Sequence, residues 1–135
     1  MQYLMTKKVI ASIIQKDSKV LIAQRAKKDS LYGKWEFPGG KMESGETEHE
    51  CLKRELFEEF GIHAEIGTYL CSSFFKHKET NMEMRVYYVP SFTGDFILHD
   101  HLEIRWVSIE ELLLYDMPDP DKPIVEKLLA SKKRY

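Results

Sequence analysis

The sequence predicts a single α+β domain, and three of its features support this. Apolar and β-branched runs of strand length recur along most of the chain, whereas only three segments carry helix-start signals. The two kinds of segment follow one another without the regular alternation that builds a parallel α/β sheet. The chain has 135 residues, of which 43% are hydrophobic, which is enough for one core and too few for two. We therefore expect residues 1–135 to form one domain.

The expected strands are short apolar or β-branched runs bounded by turn residues. The first two, residues 9–14 and 20–24, are separated by the polar stretch 15–19 and predict a hairpin. The other strands are expected at residues 35–37, 64–75, 82–89 and 104–107, with a turn at residues 91–94.

A glycine loop leads into the first predicted helix. Residues 38–40 read Pro-Gly-Gly, in which proline fixes one backbone dihedral and the glycines allow a tight turn beside a ligand. Thr47 and Glu50 have the spacing of a capping box, and Gly61 suits the left-handed position that follows a helix. Together they predict a helix over residues 48–60.

Two further helices are expected near the C-terminus. Ser108 and Glu111 form a second capping box, which predicts a helix that runs to about residue 115. Residues 118–120 read Pro-Asp-Pro and end it. Asp121 could cap a last helix over about residues 122–131.

Three glutamates share one face of the first helix. At roughly 100° per residue, Glu58 lies about 60° to one side of Glu55, and Glu59 lies about 40° to the other. The adjoining stripe is apolar and consists of Leu52, Leu56 and Phe60. A solvated acidic face is the commoner role of such charges. However, carboxylates this close repel one another unless a cation lies between them, and their oxygens suit Mg²⁺ or Mn²⁺.

The spacing around this helix matches a longer motif. Residues 40–62 read GKMESGETEHECLKRELFEEFGI and fit Gly-x5-Glu-x7-Arg-Glu-apolar-x-Glu-Glu-x-Gly-apolar. The matching positions are Gly40, Glu46, Arg54, Glu55, Leu56, Glu58, Glu59, Gly61 and Ile62. This segment resembles the Nudix box. The resemblance implies the Nudix fold, a mixed β-sheet sandwiched between α-helices (α/β/α), with the box as a loop–helix–loop.

Within that family the chain is most similar to the MutT-type nucleoside triphosphate pyrophosphohydrolases, because residues 35–41 read Trp-Glu-Phe-Pro-Gly-Gly-Lys. The resemblance implies attack by water between the α and β phosphorus atoms, which releases a nucleoside monophosphate and pyrophosphate. It also implies Mg²⁺ as the cofactor, with Mn²⁺ as a substitute. Such ions neutralise the triphosphate, polarise a bridging oxygen and lower the pKa of a bound water.

The resemblance also implies roles for individual box residues. The Gly39 carbonyl and the carboxylates of Glu55, Glu58 and Glu59 would bind the divalent ions. Arg54 would orient a glutamate through a charge-assisted hydrogen bond. The catalytic set implied by the resemblance is Arg54, Glu55 and Glu58, together with Asp100. The alternative for Arg54 is a salt bridge on the helix surface, which contributes little.

A further acidic residue before the last core strand often completes the metal site in MutT-like enzymes. Asp100 matches that position, and Glu103 is a competing candidate. His99 and His101 flank Asp100, but two histidines without a third ligand do not make a zinc site, so we expect both on the surface. Glu46 is expected to have a structural role at the junction of loop and helix.

Base selection is expected to lie outside the box, where the MutT pattern matches Arg25, Phe37 and Asp121. MutT has an asparagine where this chain has Asp121. An ionised carboxylate only accepts hydrogen bonds, which suits the exocyclic amine of cytosine better than 8-oxoguanine. Segments 89–94 and 99–101 also resemble the bacterial CTP pyrophosphohydrolase branch. The alternative for Asp121 is a helix N-cap without ligand contact.

The resemblance therefore supports a MutT-like enzyme that cleans the nucleotide pool, a role grouped with DNA repair, and foremost an 8-oxo-dGTP diphosphatase. The alternative substrates are CTP, dCTP or a modified pyrimidine nucleotide. A rival from another class is a non-catalytic Nudix domain that senses nucleotides. Such domains typically lose box glutamates, and here all are present.

Composition limits the partners and the compartment. A net charge of -2 argues against a nucleic acid polymer as partner, and the basic tail 132–134 suits a helix C-terminus. Cys51 and Cys71 form no CxxC pair, which favours a reducing compartment. The N-terminal MQYLMTKK lacks the apolar core of a signal peptide, and no apolar run has membrane-spanning length. We expect a cytoplasmic protein without membrane contact, as a monomer or a homodimer.

Overall fold

The computed structural model describes residues 6–132. The N-terminal residues 1–5 and the basic-tail residues Lys133 and Arg134 lie outside that range. The strands are β1 Lys7–Lys16, β2 Lys19–Arg25, β3 Trp35–Glu36, β4 Gly39–Lys41, β5 His63–Glu65, β6 Tyr69–His77, β7 Thr80–Val89, β8 Ser91–Thr93 and β9 His101–Val107. The α-helices are α1 Glu48–Phe60 and α2 Lys122–Lys132, and Glu110–Leu114 and Asp119–Asp121 are short 3-10 helices.

The main sheet is mixed and has β1 near its centre. Its order is β3-β2-β1-β7-β6, with β4 paired to β1 and β9 paired to β2. β1 runs parallel to β7 and antiparallel to β2 and β4. β5 and β8 form a separate antiparallel pair. This arrangement confirms the predicted α+β class.

The two α-helices cover opposite faces of the main sheet. Side chains alternate along a strand, so neighbouring residues of β1 and β2 point to different faces. One core cluster joins Ala11, Ile13, Val20 and Ile22 to residues Ile124, Val125 and Leu128 of α2. The other joins Ile10, Ile14, Leu21 and Ala23 to residues Cys51, Leu52, Leu56 and Phe60 of α1. The sheet is therefore sandwiched between helices, as the box resemblance implies.

Helix α1 has the predicted bounds and caps. Thr47 accepts from the Glu50 N–H at 3.1 Å, and the Glu50 side chain accepts from the Thr47 N–H at 2.8 Å. Gly61 ends the helix with φ of 71°. Within residues 6–132, no helix has both the length and the apolar character needed to cross a membrane.

The predicted strand over residues 64–75 is wrong, because the chain breaks there into β5 and β6. Gly67 lies in the break, and a Cβ on it would come within 3.0 Å of the Tyr88 carbonyl oxygen and the Pro90 ring. The predicted turn over residues 91–94 is also wrong. Ser91–Thr93 is strand β8, which pairs with β5. Both strands are short enough that periodicity alone does not define them.

Two other elements differ from the sequence prediction. Ser108 and Glu111 do exchange the capping hydrogen bonds, at 3.0 and 3.3 Å, but the segment that follows is a 3-10 helix rather than an α-helix. The glycine-rich segment Gly39–Lys41 was expected as loop and forms strand β4 against β1. A Cβ on Gly39 would lie 1.9 Å from the Ile10 carbonyl oxygen, so only glycine fits so close to β1.

Candidate active site

A cavity of about 1040 Å³ lies beside β4 and the box helix. Another cavity, of about 410 Å³, lies beside Phe74 and Asn81. The lining of the larger cavity includes nine residues from five separate segments, namely Arg25, Glu36, Phe37, Gly39, Gly40, Glu59, Asp100, His101 and Asp121. The base-binding candidates Arg25, Phe37 and Asp121 thus share the lining with Gly39, Glu59 and Asp100 of the predicted metal site. The other two predicted metal ligands, Glu55 and Glu58, do not line the cavity.

The glycine loop lies directly against a box carboxylate. A Cβ on Gly40 would come within 2.2 to 2.5 Å of the carboxylate atoms of Glu55. Because glycine has no side chain, the backbone of β4 can approach Glu55 this closely. Gly40, the residue after Gly39, therefore lies directly beside the Glu55 carboxylate.

Arg54 holds the box carboxylates together. It donates two hydrogen bonds to Glu46, from Nε at 3.0 Å and from a terminal nitrogen at 2.8 Å. The other terminal nitrogen lies 2.9 Å from Glu55 Oε1 and 3.2 Å from Glu58 Oε2. A bond to the Lys41 carbonyl, at 3.1 Å, ties the same guanidinium to β4. Arg54 thus contacts Glu46, Glu55 and Glu58 at the same time, and its orienting role in catalysis stays a prediction.

Glu46 anchors Arg54 at the junction of loop and helix. The hydrogen bonds from Arg54 lower the pKa of Glu46 to about 2, so this carboxylate stays ionised. Glu46 does not line the cavity. Its contacts agree with the structural role that the sequence predicts.

Glu59 is the most buried of the three box glutamates. Only 9% of the residue is exposed, and its Oε2 atom is buried without a hydrogen-bond partner. Burial raises the pKa of Glu59 to about 9, and the charges of Glu55 and Glu36 add to the effect. Burial also raises the pKa of Glu55. In contrast, 59% of the Glu58 side chain is exposed.

This donor set fits a divalent cation. The available atoms are hard carboxylate and carbonyl oxygens, one of which is buried and unpartnered. A cation would remove the repulsion that disfavours ionised Glu55 and Glu59 side by side. Among residues 6–132, no three acidic, histidine or cysteine side chains converge into a complete ligand set. Mg²⁺ is commonly held by one or two carboxylates together with substrate phosphates, so the glutamates need not enclose it alone.

The two acidic candidates beyond the box differ in position. Asp100 is exposed and lines the cavity. Glu103 does not line the cavity, and its carboxylate pairs with Arg105. This placement favours Asp100 as the further acidic residue of the site.

His101 was expected on the surface, and that prediction is wrong. Only 4% of its side chain is exposed, its ring stacks on Phe60, and Nε2 lies 2.9 Å from Glu36 Oε2. His99 is exposed, as expected, and its Nδ1 lies 2.7 Å from the Glu58 carbonyl oxygen.

Glu36 was not among the predicted site residues. It lines the cavity and accepts from Arg25 at 2.9 Å, while Arg25 also contacts Asp29 at 3.2 Å. The available sequence signal was a charged residue between Trp35 and Phe37 in a strand that otherwise looks apolar.

Asp121 does not cap α2, so the N-cap alternative is wrong. Its Oδ2 accepts a hydrogen bond from the backbone N–H of Phe37 at 3.1 Å, and only 3% of the residue is exposed. Burial raises the pKa of Asp121 to about 7. The expectation that this carboxyl only accepts hydrogen bonds therefore holds above that pH, whereas below it the carboxyl can also donate.

Comparison with known proteins agrees with this geometry. The NUDIX domain family matches residues 5–128. The chain belongs to the Nudix family. It is a MutT-like Nudix hydrolase that acts on phosphoric anhydride bonds. Members of this family generally use a divalent metal ion and a nucleotide substrate.

Individual Nudix relatives match over most of their length. The chain is 38% identical over 122 residues to the CTP pyrophosphohydrolase of Escherichia coli, covering 90% of each. It is 35% identical over 117 residues to putative 8-oxo-dGTP diphosphatase 2 of Mycobacterium tuberculosis, covering 84% of this chain and 82% of that one.

Solved Nudix structures share the same fold. The solution structure of the E. coli ORF135 protein superposes with a TM-score of 0.87 at 37% identity, covering 94% of this chain and 91% of that one. The crystal structure of the MutT protein from Methanosarcina mazei superposes with a TM-score of 0.85 at 26% identity, covering 96% of each.

Proposed function

We propose that this Nudix hydrolase is a Mg²⁺-dependent pyrophosphohydrolase of cytidine triphosphates, which converts CTP or dCTP to the monophosphate and pyrophosphate. The placement of Asp121 carries this proposal. It is a buried carboxyl in the cavity lining that uses one oxygen to hold the Phe37 backbone. Among the described residues, the other oxygen makes no hydrogen bond and is available to a base.

The metal would be held by the Gly39 carbonyl, Glu55, Glu58 and Glu59, with Asp100 as a further ligand. When bound, it supplies positive charge for the triphosphate and lowers the pKa of an attacking water. Mn²⁺ has the same preference for oxygen ligands and would substitute. The chain itself orients Glu55 and Glu58 through Arg54 and keeps Glu59 out of bulk water.

Two carboxyl groups, those of Asp121 and Glu36, line the cavity. Their segments lie side by side, because Phe37, the residue after Glu36, donates its backbone N–H to Asp121. As carboxylates they accept hydrogen bonds, and the exocyclic N4 amine of cytosine donates two. A base that presents only acceptors on that edge would leave the second oxygen of ionised Asp121 without a donor, and an unsatisfied buried polar group costs about 1–3 kcal/mol. The pocket chemistry thus favours an amine-bearing base.

An oxidised purine is the second candidate, and the raised pKa of Asp121 favours it. With a pKa of about 7, a large fraction of Asp121 is protonated at neutral pH and can donate to the O6 carbonyl of 8-oxoguanine. The similarity to putative 8-oxo-dGTP diphosphatase 2 supports the same candidate.

A turnover screen tests both candidates. CTP, dCTP, 5-methyl-dCTP, 8-oxo-dGTP and unmodified dGTP are compared at equal concentration with Mg²⁺ in ¹⁸O-labelled water. We expect the highest kcat/KM for a cytidine nucleotide, with monophosphate and pyrophosphate as products. Primary release of orthophosphate contradicts the proposed bond cleavage. Absence of turnover with every nucleotide, despite binding, favours a sensor.

Metal removal is the accompanying control. Activity is expected to disappear in EDTA and to return with Mg²⁺ or Mn²⁺. Ca²⁺ should restore little activity, because its larger and looser coordination positions the reacting groups less well. Full activity in EDTA contradicts the metal assignment.

A further inference from the structure

His101 is the first residue of β9, and a β-bulge turns its side chain into the cavity. Gln24 pairs with Glu103 and Arg25 pairs with His101, so Leu102 is an extra residue on β9. Bulges of this kind re-aim a side chain beside a site. Leu102 is left 48% exposed, whereas His101 is buried in the cavity lining.

Two contacts fix the imidazole ring. It stacks on the buried ring of Phe60, with centroids 5.2 Å apart and planes 17° from parallel. Its Nε2 lies 2.9 Å from Glu36 Oε2, within hydrogen-bond distance. With the ring plane and one nitrogen held, the direction of Nδ1 is determined as well.

Nδ1 faces a box carboxylate. It lies 3.8 Å from Glu59 Oε2, which is beyond hydrogen-bond distance. Both atoms are buried, and neither has a hydrogen-bond partner. Buried polar atoms are normally partnered. A proton on either of these two facing atoms, together with a small movement of Glu59, would complete a hydrogen bond between them.

His101 thereby joins two parts of the site. Glu36 is held between Arg25, at 2.9 Å, and His101. The His101 ring lies within 4 Å of both Glu36 and Glu59. Through Nε2 it contacts Glu36, which pairs with the base-binding candidate Arg25, and through Nδ1 it faces Glu59, a predicted metal ligand.

We propose that His101 is a positioning residue with two separable roles. Its Nε2 holds Glu36 for the nucleotide, and its Nδ1 orients Glu59 for the metal. This inference depends on the proposed function, because it takes Glu59 as a metal ligand and the Glu36 region as the base site.

Three substitutions separate the two roles. His101→Gln places an amide nitrogen near the position of Nε2 and leaves nothing at Nδ1. His101→Asn places its amide nitrogen near Nδ1 and leaves nothing at Nε2. His101→Phe keeps the aromatic stack on Phe60 and removes both nitrogens.

Two binding measurements without turnover read out the roles. In His101→Gln, Mn²⁺ binding to the nucleotide-free protein is expected to weaken about tenfold, as is typical when a partner of a metal ligand is lost. The affinity of the same variant for CMP or 8-oxo-dGMP, measured in EDTA, should stay within twofold of wild type. His101→Asn should show the reverse pattern. His101→Phe should weaken both, and kcat/KM should fall in all three.

His63→Phe is the matched control. His63 also stacks on a phenylalanine, Phe57, with centroids 4.9 Å apart, but it is exposed and does not line the cavity. Its substitution should leave both affinities unchanged.

The outcomes are distinguishable. If all three His101 variants keep both affinities and lose only thermal stability, or lose both affinities to the same extent, the two-role assignment is overturned. In either case turnover by the wild type leaves the proposed function standing. If the wild type neither binds Mn²⁺ nor releases pyrophosphate, the proposed function and this inference fail together. If His101→Phe does not fold, the two-role assignment is still tested by whether the Gln and Asn variants show opposite binding patterns.

Discussion

The two groups of residues that make up the candidate site are built in different ways. The box group, Arg54, Glu46, Glu55, Glu58 and Glu59, is local in sequence, and Arg54 and Glu46 are 8 residues apart. The base group, Arg25, Glu36, Phe37 and Asp121, is assembled from distant segments, and the bond from Phe37 to Asp121 spans 84 residues. The chemistry of a local group follows from spacing on one helix, whereas that of a distant group depends on the whole fold.

The groups also differ in how burial acts on them. In the box group Arg54 compensates several carboxylates at once, and Glu59 stands out as the buried member. In the base group the buried Asp121 has only a backbone N–H as its partner. We therefore expect box substitutions to act mainly on the catalytic rate, and base-group substitutions to act mainly on substrate choice.

The largest expected effect is in the box group. Glu59→Gln should lower kcat a hundredfold or more, because it removes a charge from the metal site. Thermal stability without metal should stay equal or rise, since a neutral amide avoids the cost of burying a carboxylate beside Glu55. Steady-state kinetics under saturating Mg²⁺ and thermal unfolding in EDTA measure the two quantities.

Glu50→Gln is the control on the same helix. Glutamine also completes a capping box, so kinetics and stability should both stay near wild type. Near wild-type turnover by Glu59→Gln would remove this glutamate from the mechanism and weaken the contrast between the groups.

The second largest effect is expected for Arg54, and it tests whether this side chain orients the box carboxylates. Arg54→Lys keeps the charge but loses the planar fork that reaches Glu46, Glu55 and Glu58 together. We expect kcat/KM to fall about tenfold or more, as for other residues that orient metal ligands. Arg105→Lys is the control, because Arg105 forms an exposed ion pair with Glu103 outside the cavity lining. This substitution should leave kcat/KM unchanged. Equal behaviour of the two variants would assign Arg54 to an ordinary salt bridge.

Substrate choice should depend on pH through Asp121. As pH rises through about 7, the carboxyl loses its proton and its ability to donate to O6 of 8-oxoguanine, but it still accepts from cytosine N4. The kcat/KM ratio of 8-oxo-dGTP to CTP should therefore fall with rising pH. We expect this ratio to change about tenfold, which is the effect of one mismatched buried hydrogen bond.

Asp121→Asn tests the same group directly. The amide can accept from the Phe37 N–H and also donate at every pH, so the ratio should shift toward 8-oxo-dGTP and lose its pH dependence. Asp116→Asn is the control, because Asp116 is exposed and lies outside the cavity lining. It should leave the substrate ratio unchanged. A ratio that stays constant with pH in the wild type would leave base choice to other residues.

The smallest effect on activity is expected outside both groups. Glu48 begins α1 away from the cavity and accepts hydrogen bonds from Arg85 at 2.6 Å and Tyr87 at 2.5 Å. Glu48→Gln should weaken these bonds and lower the free energy of unfolding by about 1–2 kcal/mol. Turnover should stay within about twofold of wild type. A large loss of kcat would extend the catalytic region to the start of the helix.

The sequence by itself determined the parts of the protein that depend on local rules. The bounds of α1, its capping box and its final glycine all follow from neighbouring residues, and the structure has them as predicted. The shared face of the box glutamates follows from helical periodicity. The hairpin of β1 and β2 follows from two apolar runs and a polar turn.

Local patterns failed where pairing with a distant strand sets the conformation. Gly39–Lys41 is a strand because β1 accepts it as a partner, and Ser91–Thr93 is a strand because β5 does. Neither segment has the length or periodicity that marks a strand on its own.

Only the tertiary structure decided the surroundings of the long-range polar residues. A one-residue bulge in β9 buries His101, and such a register shift leaves no periodic signal in the sequence. The carboxyl of Asp121 bonds to Phe37 rather than capping α2, because the fold brings these distant segments together. Burial and partners are properties of packing between segments, and they set the protonation of Asp121 and hence which bases it can contact.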